Sequence, residues 1–241
     1  MRILILIISI VLLRNSCHIN FIGGKRITGN GSLSTEQRNV GTFTGVDVRG
    51  SMDVFLSSGP AHAVRVEADG NLLPYVETTN NGGTLRIGSR NGYNLNPRAG
   101  IKIYVTAPEL SGILVTGSGD VVSQSRISSR DKLHTEIRGS GDIRLEMDAP
   151  QTEAEITGSG SITLNGNTRT LNVAIRGSGD VHGFNLMSEN AQVDIAGSGN
   201  AQVYASKQLD IDIKGSGNTE YKGNPSINQK VHGSGDIRRV P

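Results

Sequence analysis

The chain has 241 residues, one cysteine, and a net charge of +2 from 24 basic and 22 acidic side chains. Charge so evenly interspersed offers no basic face for nucleic acid, and a single cysteine rules out an intrachain disulfide. Aromatic residues make up 4% of the chain and tryptophan is absent, so the core is expected as thin columns of Val, Ile and Leu.

In chain order, the first element is an export signal over residues 1–17. Met1-Arg2 precedes an apolar run from Ile3 to Leu13, which Arg14 ends. A helix of that length reaches only about 16 Å, short of the ~30 Å hydrocarbon core, so it reads as a signal and not an anchor. Cys17 follows the small residue Ser16 and resembles a bacterial lipoprotein processing site, although Arg14 stands where that pattern has an aliphatic residue. The alternative is a cysteine that lies near a signal cut elsewhere. No A-x-A-like site follows, which favours lipidation at Cys17 and contact with a membrane through acyl groups alone.

Residues 18–40, rich in Gly, Asn, Ser and Thr, read as a tether. Strand alternation begins after Gly41. It is clear at Val46–Val48, Met52–Leu56, Ala63–Glu67, Thr84–Ile87 and Ile101–Val105. Leu72 to Val76 fits one helical turn around Pro74. Residues 41–110 are therefore expected as irregular β rungs that broaden into a cap, since an open solenoid end leaves strand edges unpaired.

From residue 111 to 241 the chain repeats. Gly-Ser-Gly begins at Gly117, Gly139, Gly158, Gly177, Gly197, Gly215 and Gly233, at intervals of 22, 19, 19, 20, 18 and 18 residues. Two residues before each copy stand Val115, Ile137, Ile156, Ile175, Ile195, Ile213 and Val231, all β-branched. Apolar residues also recur four and six before it and four after it. That period of two makes each repeat a strand, a corner and a second strand. The paired glycines (Gly117 and Gly119, Gly139 and Gly141, Gly158 and Gly160, Gly177 and Gly179, Gly197 and Gly199, Gly215 and Gly217, Gly233 and Gly235) are the structural corners. There the backbone needs φ > 0, and a Cβ would collide with the corner above at about 4.8 Å. Gly50-Ser51 is a degenerate corner, with Met52 in place of the second glycine. The fold class is all-β, a parallel β-solenoid whose repeated half is a rod roughly 30 Å long.

Candidate sites are few. Asp120, Asp142, Asp180 and Asp236 share one corner position with Ser161, Asn200 and Asn218. A calcium ridge would need six to eight oxygens from a closed arrangement, so these read as turn residues bonding their own backbone. The five histidines show no metal-ligand spacing, and neither metal nor cofactor is expected. A carbohydrate lyase or hydrolase would need an acidic pair on adjacent rungs within a cleft, and the short, even rungs argue against one. One outward pattern remains, a cation just before every second corner: Arg138, Arg176 and Lys214. It reads either as a ladder for an anionic polymer or as charges paired with the corner aspartates.

The seven corners, their flanking Ile and Val and the Asp or Asn that follows resemble the putative auto-transporter adhesin, head GIN domain family, over roughly residues 41–238. That resemblance implies a β-helical superhelix without catalytic residues and a role in adhesion. The expectation is a non-catalytic exported protein of the cell envelope or surface that binds a glycan or a surface protein. Homo-oligomerisation through the irregular half is a further expectation. The alternatives are a carbohydrate-active β-helix enzyme and a self-associating structural envelope protein.

Overall fold

In the computed structural model, residues 24–241 are described; the expected export signal over residues 1–17, with Cys17, lies outside them. The period of two becomes two stacks of parallel strands. Before each corner, Ile137 faces Ile156, which faces Ile175, then Ile195, then Ile213. After each corner, Val121, Ile143, Ile162, Val181, Ala201 and Thr219 form the opposing column. All of these side chains are buried. The two stacks enclose the aliphatic core, and each buried Ile or Val contributes about 1.5–3 kcal/mol by leaving water.

The corners superimpose. The first glycine of each lies at φ between +125° and +144°. Its carbonyl oxygen accepts the N–H of the serine one rung later: Ser140 on Gly117 at 2.8 Å, Ser159 on Gly139 at 2.9 Å, Ser198 on Gly177 at 2.8 Å. The bend is thus held by main chain, and the carbonyls run along the rod axis. A Cβ on either glycine would strike the carbonyl of its counterpart beneath, and the first glycine is constrained by its positive φ as well. Met52 tests that account. It occupies the same position in the lowest corner, with no corner below, and its side chain packs into the core at 4% exposure.

On the far side of the rod the strands turn without a fixed motif. Asp142–Gly158 and Ser161–Gly177 each run 17 residues through one stack and into the next. Gly166, at φ +126°, lies above Met147 at this second bend.

The first half departs from a simple continuation. Spatial order is not chain order: Gly45–Gly50 lies between Gly112–Gly117 above and Thr84–Ser89 below. Asp53–Ser58 lies likewise between Val121–Ser123 and Lys102–Ala107. The chain therefore starts one rung up, descends, and climbs back past its own beginning. Lys102–Ala107 pairs antiparallel with Ala63–Asp69, which pairs antiparallel with Leu33–Arg38, while Val76–Asn81 pairs antiparallel with Thr84–Ser89. These antiparallel strands cover the lower end. The turn at Pro74 is a 3-10 turn, Leu73–Tyr75.

Two expectations change here. The 18–40 tether is structured from residue 25 onward. Lys25–Thr28 pairs with Tyr93–Asn96, and Leu33–Arg38 joins the cap. Asp69 explains why: its buried carboxylate accepts N–H groups from Gly31 (2.5 Å) and Arg98 (2.8 Å), stitching the leading segment to a distant loop. The Arg98 N–H is the chief reason this carboxyl lies below the usual range, with Gly31, Ala99 and the Arg98 charge adding and burial opposing. In the last rung, Ile227 and Val231 continue the core columns but are each 39% exposed, because among the described residues Ser226–Gly233 pairs with Gln208–Gly215 on one side only.

Candidate functional site on the outer faces of the rod

The outward residues fall into columns because the rungs hold register. The stack before the corners carries charge. Arg138, Arg176 and Lys214 share one column with Thr116, Thr157, Ala196 and His232 between and beyond them. Arg49 extends it downward, one rung below Thr116, so cations occupy every second rung from the cap to the upper end. Their partners are not the corner aspartates. Arg138 pairs with Glu136 (2.6 Å), Lys214 with Asp212 (3.2 Å) and Arg49 with Asp47 (3.0 Å), each two residues back on the same strand. Arg176 reaches Glu155 on the rung below at 3.8 Å. The acid column runs beside the basic one, and the two neutralise each other.

Lower on this face, parallel pairing brings together residues 19 apart. His134 Nδ1 lies 3.1 Å from Glu153 Oε2, and ligand atoms of His134, Glu153 and Glu155 fall within 4.8 Å of one another. Within a rung the spacing looks unlike a metal motif, and only stacking assembles the group. Lys132 sits 2.5 Å from Glu153 Oε1 and is the main cause holding that carboxyl below its usual range, with His134 adding and desolvation opposing. The cluster is thus an internally compensated charge network.

The corner residues bond differently from expectation. Their side chains reach across rungs and not to their own turn. Asp120 Oδ1 accepts the Asp142 N–H (3.1 Å), and Asp142 Oδ1 accepts both the N–H and the hydroxyl of Ser161. Asp180 Oδ1 accepts the N–H and side-chain amide of Asn200, and Asn218 Oδ1 accepts the Asp236 N–H (3.0 Å). Each accepts the main-chain amide of the corner residue one rung on. Asp120 and Asp142 do sit on adjacent rungs, but Arg144 lies 2.5 Å from Asp142 and 3.9 Å from Asp120.

The stack after the corners differs in chemistry toward its upper end. Beside the corner column Asp180, Asn200, Asn218 and Asp236 runs a second one, in which His182 Nδ1–H donates to Gln202 Oε1 (3.0 Å). Gln202 Nε2 donates to Glu220 Oε2 (3.1 Å), and the Arg238 guanidinium closes the chain on Glu220. Arg238, then Gln202, holds the Glu220 carboxyl below its usual range. These residues line a groove of about 490 Å³. Along its side stand Phe184 and Tyr204, each one residue beyond the last paired positions of their two strands, Gly183 and Val203, with Lys222 opposite Tyr204. The Lys222 ammonium reaches over the Phe184 ring at 5.1 Å. Sequence reading passed over this patch, yet its signal is present: Phe184 and Tyr204 each stand seven residues after the first glycine of their repeat.

No curated protein matches the chain. Among solved structures, a putative lipid binding protein from Parabacteroides distasonis is 30% identical, with a TM-score of 0.75, over 90% of this chain and 100% of its own. A putative adhesin from Bacteroides fragilis (21% identity, TM-score 0.82; 89% and 100% covered) and one from Parabacteroides merdae (23%, 0.70; 90% and 100%) share the fold. Among the described residues no helix is long and apolar enough to cross a membrane. Six of the seven Gly-Ser-Gly corners fall within a family match spanning residues 42–225, and the chain belongs to the family described as putative auto-transporter adhesin, head GIN domain.

Proposed function

We propose that this is a non-catalytic, exported protein displayed at the bacterial surface, where the outer faces of its solenoid bind a ligand on another surface. The observation that carries the reading is the state of its carboxylates. Those that meet on adjacent rungs, such as Asp120 and Asp142 or Glu136 and Glu155, are engaged by cations or main-chain N–H groups, and Asp194 and Asp210 by side-chain amides. The shifted ones, Glu153, Glu189 and Glu220 among them, are held below the usual range. A general acid needs the opposite shift, produced in a water-poor cleft. The adhesin description of the family supports a surface role. Residues 1–17 as an export signal, and a lipid on Cys17, complete the proposal by supplying display without a membrane span.

The test is protease treatment of intact cells, followed by mass spectrometry of the mature N-terminus. Surface display predicts digestion of the protein while cells stay intact, and an acylated Cys17 peptide. Protection of the chain until cells are opened overturns the surface reading. An unmodified cysteine overturns the lipid anchor alone.

A further inference from the structure

Resting on that surface-binding reading, we propose that the groove from Asp180 to Arg238, with the Phe184–Tyr204 shelf, is a binding site for an extended neutral oligosaccharide running along the rod. Three features of the site lead to this ligand class. First, a pyranose offers an apolar face of C–H bonds and an edge of hydroxyls. It is recognised where an aromatic ring lies beside groups that both donate and accept hydrogen bonds. Tyr204 stands two residues along the strand from Gln202, and Lys222, opposite Tyr204, holds its ammonium over the Phe184 ring.

Second, the polar column is a row of alternating donors and acceptors and not a block of one charge. His182, Gln202, Glu220 and Arg238 present an imidazole, an amide, a carboxylate and a guanidinium on four successive rungs, fixed by mutual hydrogen bonds. Hydroxyls, which donate and accept at once, suit such a row better than an anion does. Across the groove and its shelf Asp180, Glu220 and Asp236 oppose Lys222 and Arg238. Three negative and two positive groups sum to −1, which disfavours sulfated or sialylated chains.

Third, the pitch fits. The rungs advance about 4.8 Å each, close to the advance of one sugar in an extended β-linked chain, so successive rungs can meet successive sugars. Four rungs line the groove, which sets the length the site can read.

The experiment titrates the purified chain with neutral β-1,4-linked oligosaccharides of glucose, mannose, xylose and N-acetylglucosamine, one to six units long. Heparin-derived sulfated oligosaccharides serve as the counter-arm. One neutral series should bind, its affinity rising several-fold per added sugar up to about four units and then levelling. Tyr204→Ala should weaken binding about tenfold, Tyr204→Trp should retain it, and Gln202→Ala should weaken it without changing the melting temperature. The triple variant Arg138→Ala, Arg176→Ala, Lys214→Ala should bind as the parent does. Three results overturn the assignment: no neutral series binding at millimolar concentration; binding indifferent to Tyr204 and Gln202; or binding of sulfated chains alone, lost in the triple variant. In each case the surface reading is judged separately by protease digestion of cells, so failure of one does not count as failure of the other.

Discussion

The rod above residue 111 and the cap below it solve the same problem by opposite means. In the rod, each rung satisfies its neighbour with the same atoms: first-glycine carbonyl to serine N–H, corner oxygen to strand amide, Ile on Ile. In the cap, unique partners meet once, as where Asp69 ties Gly31 to Arg98. Repetition makes the rod's tolerance at any position a property of the position beneath it. The cap has no such rule, and its stability rests on single non-local contacts.

The sharpest way to break this contrast is to place one methyl group in a corner. In Gly160→Ala the new Cβ meets the Gly141 carbonyl and, at 3.0 Å, Cγ2 of Ile137, neither of which can retreat within a stacked rod. A loss of about 4 kcal/mol or more is expected in urea unfolding, or no folded protein at all. Gly50→Ala lies in the lowest corner, with nothing within 4 Å of its Cβ and only φ +96° against it. It should cost about 1–2 kcal/mol. Equal losses would refute the idea that the rung beneath sets the requirement.

Next comes the core column. Ile156→Ala removes a fully buried side chain between Ile137 and Ile175 and should cost about 3 kcal/mol. Val231→Ala belongs to the same column, but at 39% exposure it should cost about 0.5 kcal/mol or less. A cooperative rod whose last rung is firmly packed would give similar values, and denaturant curves of the two variants decide.

The cap should be found by acid first. Asp69 has its carboxyl lowered in the folded state, so its contribution is present above the ordinary carboxylate pKa and disappears as pH falls through the lower, folded value. Hydrogen exchange in that acid window should rise at residues 29–32 and 97–100 before it rises in the corners. Simultaneous loss across the rod and the cap would show that the two are one cooperative unit.

Much of this was legible before any coordinates. The β-branched residues two before each Gly-Ser-Gly gave the strand period and the inward face. The corner glycines gave the stacking, because their spacing permits no other regular arrangement of strands. What the sequence hid was everything that depends on which rung touches which. The placement of Gly45–Ser58 between later strands cannot be read from a local pattern, since both neighbours are distant in the chain. His134 and Glu153 meet only through parallel register, and Lys222 reaches Phe184 only once the rungs are stacked. The segment before Gly41 looked loose because its composition is polar. Its order comes from pairing with distant strands and from the buried carboxylate of Asp69, none of which is local in the chain.

The smallest expected effect concerns the basic column, where rod and cap share one feature through Arg49. Arg138 and Lys214 are 58% and 65% exposed, and exposed ion pairs contribute about 0–1 kcal/mol. Arg138→Ala should therefore shift stability by only about 0.5 kcal/mol at ordinary salt. Removal, however, leaves Glu136 directly opposite Glu155 on the next strand, a like-charge pair that the guanidinium had masked. The loss should then be larger at low ionic strength and fade toward 1 M salt, where screening acts over about 3 Å. Lys214→Ala faces a milder version, because Asp212 looks across to Lys230 on one side as well as to Asp194 on the other. Its salt dependence should be shallower than that of Arg138→Ala. Denaturant melts of both variants across a salt series measure the difference. Identical slopes would mean that the column neighbours do not set the energetics of these cations, and that the rod's outer face does not follow the stacking rule its interior obeys.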